Sequence, residues 1–246
     1  TIEELIDILT ACYDDFIRNN SIYRFYENFS GYIKIYQQLN KAVKSKQNVA
    51  YHYDLKEDLY KLFLDKDMQY SCAYFHNENI SLDQAQIDKK SHIINKLQIK
   101  ENMSVLDIGC GWGGMALEIA KQTGAKVKGI TLSENQFATA SRRVQEEGLS
   151  DKVSFQIQDY RDEKLKYDRI VSVGMFEHVG IKYFKPYLRK TYDLLKDNGV
   201  FLLHTIGQRG VPTATSPWIR KYIFPGGYIP SLSDIIIEAQ KLNINI

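Results

Sequence analysis

The sequence predicts an α/β fold in which helices cover both faces of a parallel β-sheet. From Met103 onward, short apolar runs alternate with helical stretches, a spacing typical of parallel strands joined by crossover helices. A glycine-rich turn directly follows the first of these runs, and parallel α/β sheets often bind ligands at such turns. The composition, 44% hydrophobic and 25% charged over 246 residues, is ordinary for a globular protein with ample core.

The N-terminal part is predicted to be helical. Residues 1–47 form this segment, and the main domain spans 48–246. Apolar residues recur at helical spacing over residues 2–17, and Thr1 with Glu4 fits a capping box.

A basic stretch follows within this segment. Between residues 30 and 50 there are four lysines and no acidic residue. A solvated helix face is the favoured interpretation, and a membrane-facing patch is the alternative. The next stretch, "HYDLKEDLYKLFLD", predicts a short helix leading into the main domain.

The alternating region supplies the strands and helices of the predicted sheet. Helices are expected near 113–123, 134–147 and 182–196. Residues 207–230 contain four prolines and are predicted to form a long structured loop, which in compact domains is often a lid or a binding element. The apolar runs are "SVLDIG", "KVKGITL", "VSFQIQ", "YDRIVSVG" and "GVFLLHTIG".

Charge and cysteine usage exclude several classes of protein. With 32 basic and 30 acidic residues, the net charge of +2 gives no global field for nucleic acid. Cys12, Cys72 and Cys110 are odd in number and far apart, which argues against a disulfide framework and for a reducing compartment. No window approaches the roughly 18 apolar residues of a membrane span, and the start does not resemble a signal peptide.

The glycine-rich turn "VLDIGCGWGG" is the first candidate binding element. Gly109, Gly111 and Gly113 lie between a strand and a helix, where glycine permits a tight turn and close approach of a ligand to the backbone. A packing turn is the alternative, but the position after the first strand favours a nucleotide-type ligand. The form D-I-G-C-G-W-G, with Asp107 ending the strand and Cys110 inside the turn, is typical of S-adenosylmethionine enzymes.

The ends of the next two strands supply further candidates. The ribose partner at the end of the second strand is normally Asp or Glu, but the sequence has Thr131, followed by Leu132 and Gln136. This departure predicts a subgroup in which the backbone and Gln136 replace the acid. Asp159 and Tyr160 end the third strand, where an adenine edge and face would lie; a capped turn is the alternative.

Several stretches together resemble the cyclopropane-fatty-acyl-phospholipid synthases, within the mycolic acid cyclopropane synthase family of S-adenosylmethionine-dependent methyltransferases. The resemblance runs in order from about His52 to Ser231 and is more specific than any single motif. It is closer to the phospholipid-acting bacterial enzymes than to the mycolic-acid enzymes, and it implies a Rossmann-like class I methyltransferase fold. The stretches are "HYDL", "MQYSCAYF", "VLDIGCGWGG", "GITLSENQ", "QDYRD", "DRIVSVGMFEHVG", "FLLHTIG" and "PWIRKYIFPGGYIPS".

The resemblance implies a reaction. The methyl of S-adenosylmethionine becomes a CH₂ bridge across a cis double bond of an unsaturated phospholipid acyl chain. Because an alkene is a poor nucleophile, the sulfonium must be held against it in a dry pocket. A base must then remove a proton from the transferred methyl, and the family implies bound bicarbonate as that base.

The resemblance also implies which residues act. Cys72 is expected to contribute chiefly through its backbone. Glu177 and His204 each have a structural alternative, as a charge at a helix start and as a satisfied core histidine. The implied bicarbonate ligands are Cys72, Glu177, His204 and Ile206, and Tyr70, Ser71 and Val173 are expected beside the cofactor.

The expected partners are unsaturated membrane phospholipids. The resemblance implies a homodimer in the cytoplasm, peripheral at the inner face of the membrane. Around Trp218, Arg220 and Lys221 are interleaved with aromatic residues, which suits an anionic bilayer surface. A lid packed over the lipid pocket is the alternative.

The sequence ends at Ile246, where the sixth strand of the family would begin. We therefore expect the last two strands, and a further bicarbonate-binding tyrosine, to be missing from this chain. A related lipid C-methyltransferase is one alternative function. A membrane-associated, cofactor-binding remnant without catalysis is the other.

Overall fold

The computed structural model describes part of the chain. Residues 2–8 are helical and exposed. The predicted boundary at 47/48, most of the predicted N-terminal helices and the stretch around Trp218 lie outside the described residues. The described residues are 1–8, 12, 20, 57–208, 219, 223, 227–242 and 244.

Five parallel strands form one sheet in the order β3-β2-β1-β4-β5. After β3 the chain crosses to the far side of β1, so strand order reverses between β1 and β4. Ligands bind at such a switch point, outside the carboxyl ends of the strands. The strands are β1 (Ser104–Ile108), β2 (Lys126–Thr131), β3 (Val153–Ile157), β4 (Tyr167–Val173) and β5 (Leu195–His204).

Helices and short 3₁₀ turns connect the strands. The α-helices are α1 (Glu57–Lys61), α2 (Leu82–Leu97), α3 (Gly114–Thr123), α4 (Glu134–Glu146), α5 (Phe184–Asp193) and α6 (Leu232–Lys241). The 3₁₀ turns are Tyr160–Asp162, Phe176–His178 and Ile181–Tyr183. Helices α3, α4 and α5 lie close to their predicted positions, whereas α2 and α6 were not predicted.

Helix α2 has clear local signals at both ends. Ser81 is its N-cap, with Oγ accepting from the backbone N–H of Gln84, and Asp83 lies in the first turn. The helix ends where Gln98 adopts a left-handed conformation with φ 49°. Because α2 also buries polar residues on one face, its apolar periodicity is weak.

Apolar layers cover both faces of the sheet, as predicted. On one face, helices α2 and α3 pack over Val105, Val127 and Val171 of three adjacent strands. On the other face, a largely aromatic cluster that includes Phe184 of α5 and Tyr228 packs beside the sheet. Each fully buried apolar side chain contributes about 1.5–3 kcal/mol, so these layers fix the strand ends that carry the site.

The fifth strand begins earlier than predicted. The apolar run suggested a start near Gly199, but Leu195 already pairs with Tyr167 of β4. The register then shifts before Arg169 pairs with Val200, and Asn198 within the irregular stretch has φ 61°. Pairing with β4 therefore ends α5 at Asp193, three residues before the predicted helix end.

Candidate functional site

A pocket opens at the carboxyl ends of β1, β2 and β4. It holds about 1200 Å³ of non-atom space, its mouth included. All the residues predicted to bind a cofactor line this pocket except Gly113. They are Tyr70, Ser71, Asp107, Gly109, Cys110, Gly111, Thr131, Leu132, Gln136, Asp159, Tyr160 and Val173.

The glycine turn lies at the base of the pocket, and its glycines differ in what surrounds them. Gly111 has φ 53°, and a Cβ there would meet nothing within 4 Å, so a side chain would enter the pocket. A Cβ at Gly109 would lie 2.7 Å from Met175 Cγ. Gly113 packs instead against Phe155, with 2.7 Å from an ideal Cβ to Cζ, so its predicted contact with a cofactor stays a prediction.

Asp107 places an isolated carboxyl group in the pocket wall. Its side chain is 1% exposed, and Oδ2 has no hydrogen-bond partner among the described residues. Burial raises the pKa of Asp107 to about 7. A buried carboxyl group without a partner is suited to a cationic ligand, which would favour its ionised form.

The end of β2 holds a pair of buried polar residues in place of the usual acid. Thr131 Oγ1 donates to Gln136 Oε1 at 2.8 Å, and Ser133 Oγ caps α4 by accepting from the Gln136 backbone N–H at 3.2 Å. The cap holds the first turn of α4 against the pocket. Gln136 thereby lines the pocket, and its predicted contact with a ribose stays a prediction.

Arg161, in the turn after β3, lines the pocket and was not among the predicted site residues. Asp159 accepts from Arg161 Nε at 2.8 Å and from Nη2 at 2.5 Å, and both residues line the pocket. The Asp159 carboxylate is therefore shared with a guanidinium. The signal available in the sequence for this residue was a basic side chain, Arg161, two positions after Asp159, which caps the turn. Tyr160 lies between them, and burial raises its pKa to about 12.

Residues 65–71, which we call the wall segment, close one side of the pocket with Met68, Gln69, Tyr70 and Ser71. Its own carboxylates fold it, since Asp65 Oδ1 accepts from the Gln69 backbone N–H at 2.7 Å. Arg143 of α4 pairs with Asp67 and donates to the Trp112 carbonyl at 3.0 Å, so α4 and the glycine turn hold the same segment. Tyr70 and Ser71, both predicted site residues, end this segment.

The four residues predicted to hold bicarbonate do not line the pocket but lie next to it. Glu177 is in the 3₁₀ turn after β4, and its Oε1 accepts from the Ile206 backbone N–H at 2.5 Å. His204 is the last residue of β5, and its carbonyl accepts from the Gly174 N–H at 3.0 Å. Cys72 is exposed and directly follows the wall segment. The structure thus brings Glu177 and Ile206 into contact.

Burial shifts the titration of the two ionisable side chains in this group. Glu177 is 1% exposed, and burial raises its pKa although the Ile206 N–H opposes the shift. Burial and then the charge of Lys89 lower the pKa of His204. Glu177 Oε2 and His204 Nδ1 have no hydrogen-bond partner within the described residues. Both atoms are therefore buried polar groups whose hydrogen-bonding capacity is unused within the described residues.

The described part of the chain contains neither a metal-binding cluster nor a membrane-spanning helix. There, no group of three His, Cys, Asp or Glu side chains is arranged to hold a metal ion. Among the helices described, none combines the length and apolar composition needed to cross a bilayer.

Comparison with protein families matches residues 40–246 to the family described as mycolic acid cyclopropane synthetase. The chain is 49% identical over 184 residues to the cyclopropane-fatty-acyl-phospholipid synthase of Escherichia coli K12, covering 75% of this chain and 47% of the relative. It is 44% identical over 194 residues to a probable fatty acid methyltransferase of Pseudomonas putida, covering 76% and 49%. The chain thus spans about half the length of these curated relatives.

A solved structure shows the same architecture. The mycolic acid cyclopropane synthase CmaA1, complexed with SAH and CTAB, matches with a TM-score of 0.74 and 33% identity over 80% of this chain and 73% of that chain. The predicted class I methyltransferase architecture is therefore confirmed for the parallel sheet described above.

Proposed function

The chain belongs to the mycolic acid cyclopropane synthetase family, and from this membership we propose that it transfers a methylene group from S-adenosylmethionine to the cis double bond of an unsaturated phospholipid acyl chain. The observation that carries the proposal is the pocket at the switch point, which collects nearly all the residues expected around the cofactor. The E. coli relative, at 49% identity, is named for this phospholipid reaction.

The pocket residues fit S-adenosylmethionine. When bound, the cofactor supplies an electrophilic methyl group. Gly111 leaves room for a ligand against the backbone, and the Asp107 carboxyl can balance positive charge from a buried position. We assign Gln136 to contacts with the ribose and Tyr160 to contact with the adenine.

The neighbouring polar group fits a small anion. Bicarbonate bound there would supply the base that accepts a proton from the transferred carbon. Glu177 Oε2, which has no hydrogen-bond partner within the described residues, can accept a hydrogen bond from the O–H of bicarbonate. His204, whose pKa is lowered, can stay neutral and offer Nδ1. Cys72 and Ile206 contribute backbone groups in this proposal.

Product analysis tests the reaction. The full-length protein is incubated with vesicles containing oleoyl phospholipid and S-adenosylmethionine labelled with ¹³C in the methyl group. We expect the label in a cyclopropane CH₂, seen by NMR. A labelled methyl or methylene branch would favour the related lipid C-methyltransferase. The absence of any labelled lipid would favour the remnant without catalysis.

Variants separate base chemistry from cofactor binding. Glu177→Gln and His204→Ala should keep S-adenosylmethionine affinity within about threefold and lose at least about 100-fold in turnover. Calorimetry measures the affinity, and release of S-adenosylhomocysteine measures turnover. Normal turnover by either variant would remove the base assignment while leaving the cofactor assignment intact.

The thiol of Cys72 is expected to be dispensable. Cys72 is exposed and does not line the pocket, and Cys72→Ser preserves the backbone. We predict that this variant keeps activity within about threefold of wild type, as expected for a surface substitution. Complete loss of turnover in a folded serine variant that still binds the cofactor would instead indicate a role for the sulfur.

The partners follow from the same proposal. The substrate is an unsaturated membrane phospholipid, and the proposed location is the inner face of the membrane, with the protein cytoplasmic and peripheral. A homodimer is proposed from the family alone.

A further inference from the structure

One face of helix α2 buries polar side chains against the wall segment. Gln86, Lys89 and Lys90 are three and four residues apart, so they share this face, and each is 3% exposed. Lys90 is neutralised by direct ion pairs, with Asp67 at 2.6 Å and Glu118 at 3.1 Å. Its burial therefore has a structural explanation.

Lys89 is buried to the same extent but is paired differently. Within the described residues, no carboxylate lies within ion-pair distance of its Nζ. Instead, Nζ donates to Ser71 Oγ at 2.7 Å. An ammonium group has three donors, and a buried cation without a direct counterion is costly. The placement therefore calls for a function.

Lys89 lies near the residues that are expected to hold bicarbonate. Its positive charge lowers the pKa of His204, one of the residues expected to hold bicarbonate, and Cys72, another of them, directly follows Ser71 in the chain. Ser71, its hydrogen-bond partner, lines the cofactor pocket. Lys89 thus lies where the cofactor wall and the proposed anion site adjoin.

The charge state of Lys89 depends on its burial. Burial lowers the pKa of Lys89 to about 8, opposed by the charge of Asp65. The ammonium is therefore charged below about pH 8 and loses its charge as the pH rises through that value. The titratable or charged groups that face it are Asp65 and Asp67 of the wall segment, Lys90 of α2, Cys72, and His204 of β5.

We propose that Lys89 is a positioning residue of the anion site: its ammonium fixes Ser71 in the pocket wall and supplies the positive charge that favours bicarbonate beside Cys72 and His204. This inference rests on the proposed function. It assigns a role to a buried cation that the reaction scheme above leaves unused. It also supplies positive charge to a group in which burial disfavours the charged form of His204.

Direct binding tests the proposal without relying on turnover. The dissociation constant of ¹³C-labelled bicarbonate is measured by NMR in full-length protein saturated with S-adenosylhomocysteine. Lys89→Met should raise this constant at least about tenfold with S-adenosylhomocysteine kept saturating. The matched control Lys90→Met, on the same helix face, should lower the thermal midpoint but change bicarbonate affinity less than about threefold.

A pH series provides a second, independent measurement should Lys89→Met not fold. In wild type, bicarbonate affinity should weaken as the pH rises through about 8. In Lys89→Arg the guanidinium stays charged, so this weakening should disappear. An identical pH response in wild type and Lys89→Arg would overturn the proposal.

The outcomes distinguish this inference from the function on which it rests. If wild type binds bicarbonate and folded Lys89→Met binds it equally well, the inference about Lys89 is wrong and the proposed base stands. If wild type binds no bicarbonate, the proposed base itself is wrong.

Discussion

Gly111 and Gly148 share a backbone geometry and differ in surroundings. Both have positive φ, 53° and 67°, and an ideal Cβ at either meets nothing within 4 Å. Gly111 lines the pocket, whereas Gly148 is exposed near the end of α4. The two positions therefore separate the cost of a left-handed backbone from the cost of filling the pocket.

We predict that Gly111→Asp weakens S-adenosylmethionine binding at least about 100-fold, or about 2.8 kcal/mol, because a charged side chain occupies ligand space. Gly148→Asp should lose about the same stability, about 1 kcal/mol, and keep its affinity. Calorimetry measures affinity, and thermal unfolding measures stability. Unchanged affinity in folded Gly111→Asp would rule out the placement of the cofactor on this turn.

Asp107 predicts a pH-dependent affinity. Because its pKa in the folded chain is about 7, a cationic cofactor should bind more tightly as the pH rises through that value and the carboxyl ionises. Asp107→Asn cannot ionise, so its affinity should be flat with pH and at least about tenfold weaker at pH 8. Calorimetry across this range provides the measurement, and a flat response in wild type would contradict the assignment.

The raised pKa of Asp107 also predicts that the stability of the folded chain falls as the pH rises, whereas cofactor affinity rises. The unfolded chain releases the Asp107 proton near its ordinary pKa of 3.8, and the folded chain near 7. The free energy of unfolding contributed by this group should therefore fall as the pH rises between those values. Asp107→Asn should remove this contribution, which chemical denaturation at several pH values measures.

At the scale of elements, ion pairs from two helices hold the wall segment. Asp67 is contacted by Lys90 of α2 and Arg143 of α4. Burial alone would raise the pKa of Asp67, but these two charges outweigh it and lower the pKa. The stability from this ionised group is therefore present above pH 3.8 and is lost as the pH falls through the lowered value.

We predict that Asp67→Asn lowers the free energy of unfolding by about 3 kcal/mol at neutral pH, since it leaves partly buried cations without this carboxylate. Asp193→Asn, which breaks an exposed pair with Arg189, should cost less than about 0.5 kcal/mol. Urea unfolding measures both. Equal losses in the two variants would show that the wall segment is held by other contacts.

At the scale of the whole molecule, the distribution of basic residues predicts membrane binding. No acidic residue occurs between residues 198 and 233, where Arg220 and Lys221 follow Trp218. Arg220→Glu with Lys221→Glu should weaken sedimentation with anionic vesicles, at about 1 kcal/mol per cation, and flatten its salt dependence. Cofactor affinity should stay the same.

A matched charge reversal controls for net charge. Lys100→Glu with Lys126→Glu changes the charge equally at exposed positions next to the amino ends of β1 and β2, opposite the pocket. This control should bind vesicles as wild type does. Unaltered vesicle binding by the first double variant would favour a lid over the lipid pocket.

The parallel sheet and the location of the cofactor pocket were predictable because their signals are local. Apolar runs specify β1 to β4 within a few residues, and the glycine turn after β1 identifies the strand end that faces the ligand. Thr131 ends β2 and Gln136 lies in the first turn of the helix after it, so these candidates are identified in the same way. In each case, strand alternation and turn chemistry act over a few residues, so the linear sequence contains them.

The remainder depended on contacts between distant parts of the chain. Helix α2 was not predicted, because Gln86, Lys89 and Lys90 interrupt its apolar periodicity, and these residues are buried only because the wall segment packs over them. The pairing of Arg143 with Asp67 joins residues 76 positions apart. By itself, the sequence determined the sheet, its glycine turn and the candidate residues at its edge. Which of these residues come into contact, and which charges are buried, depends on the packed fold, because desolvation and ion pairing arise when separate elements pack together.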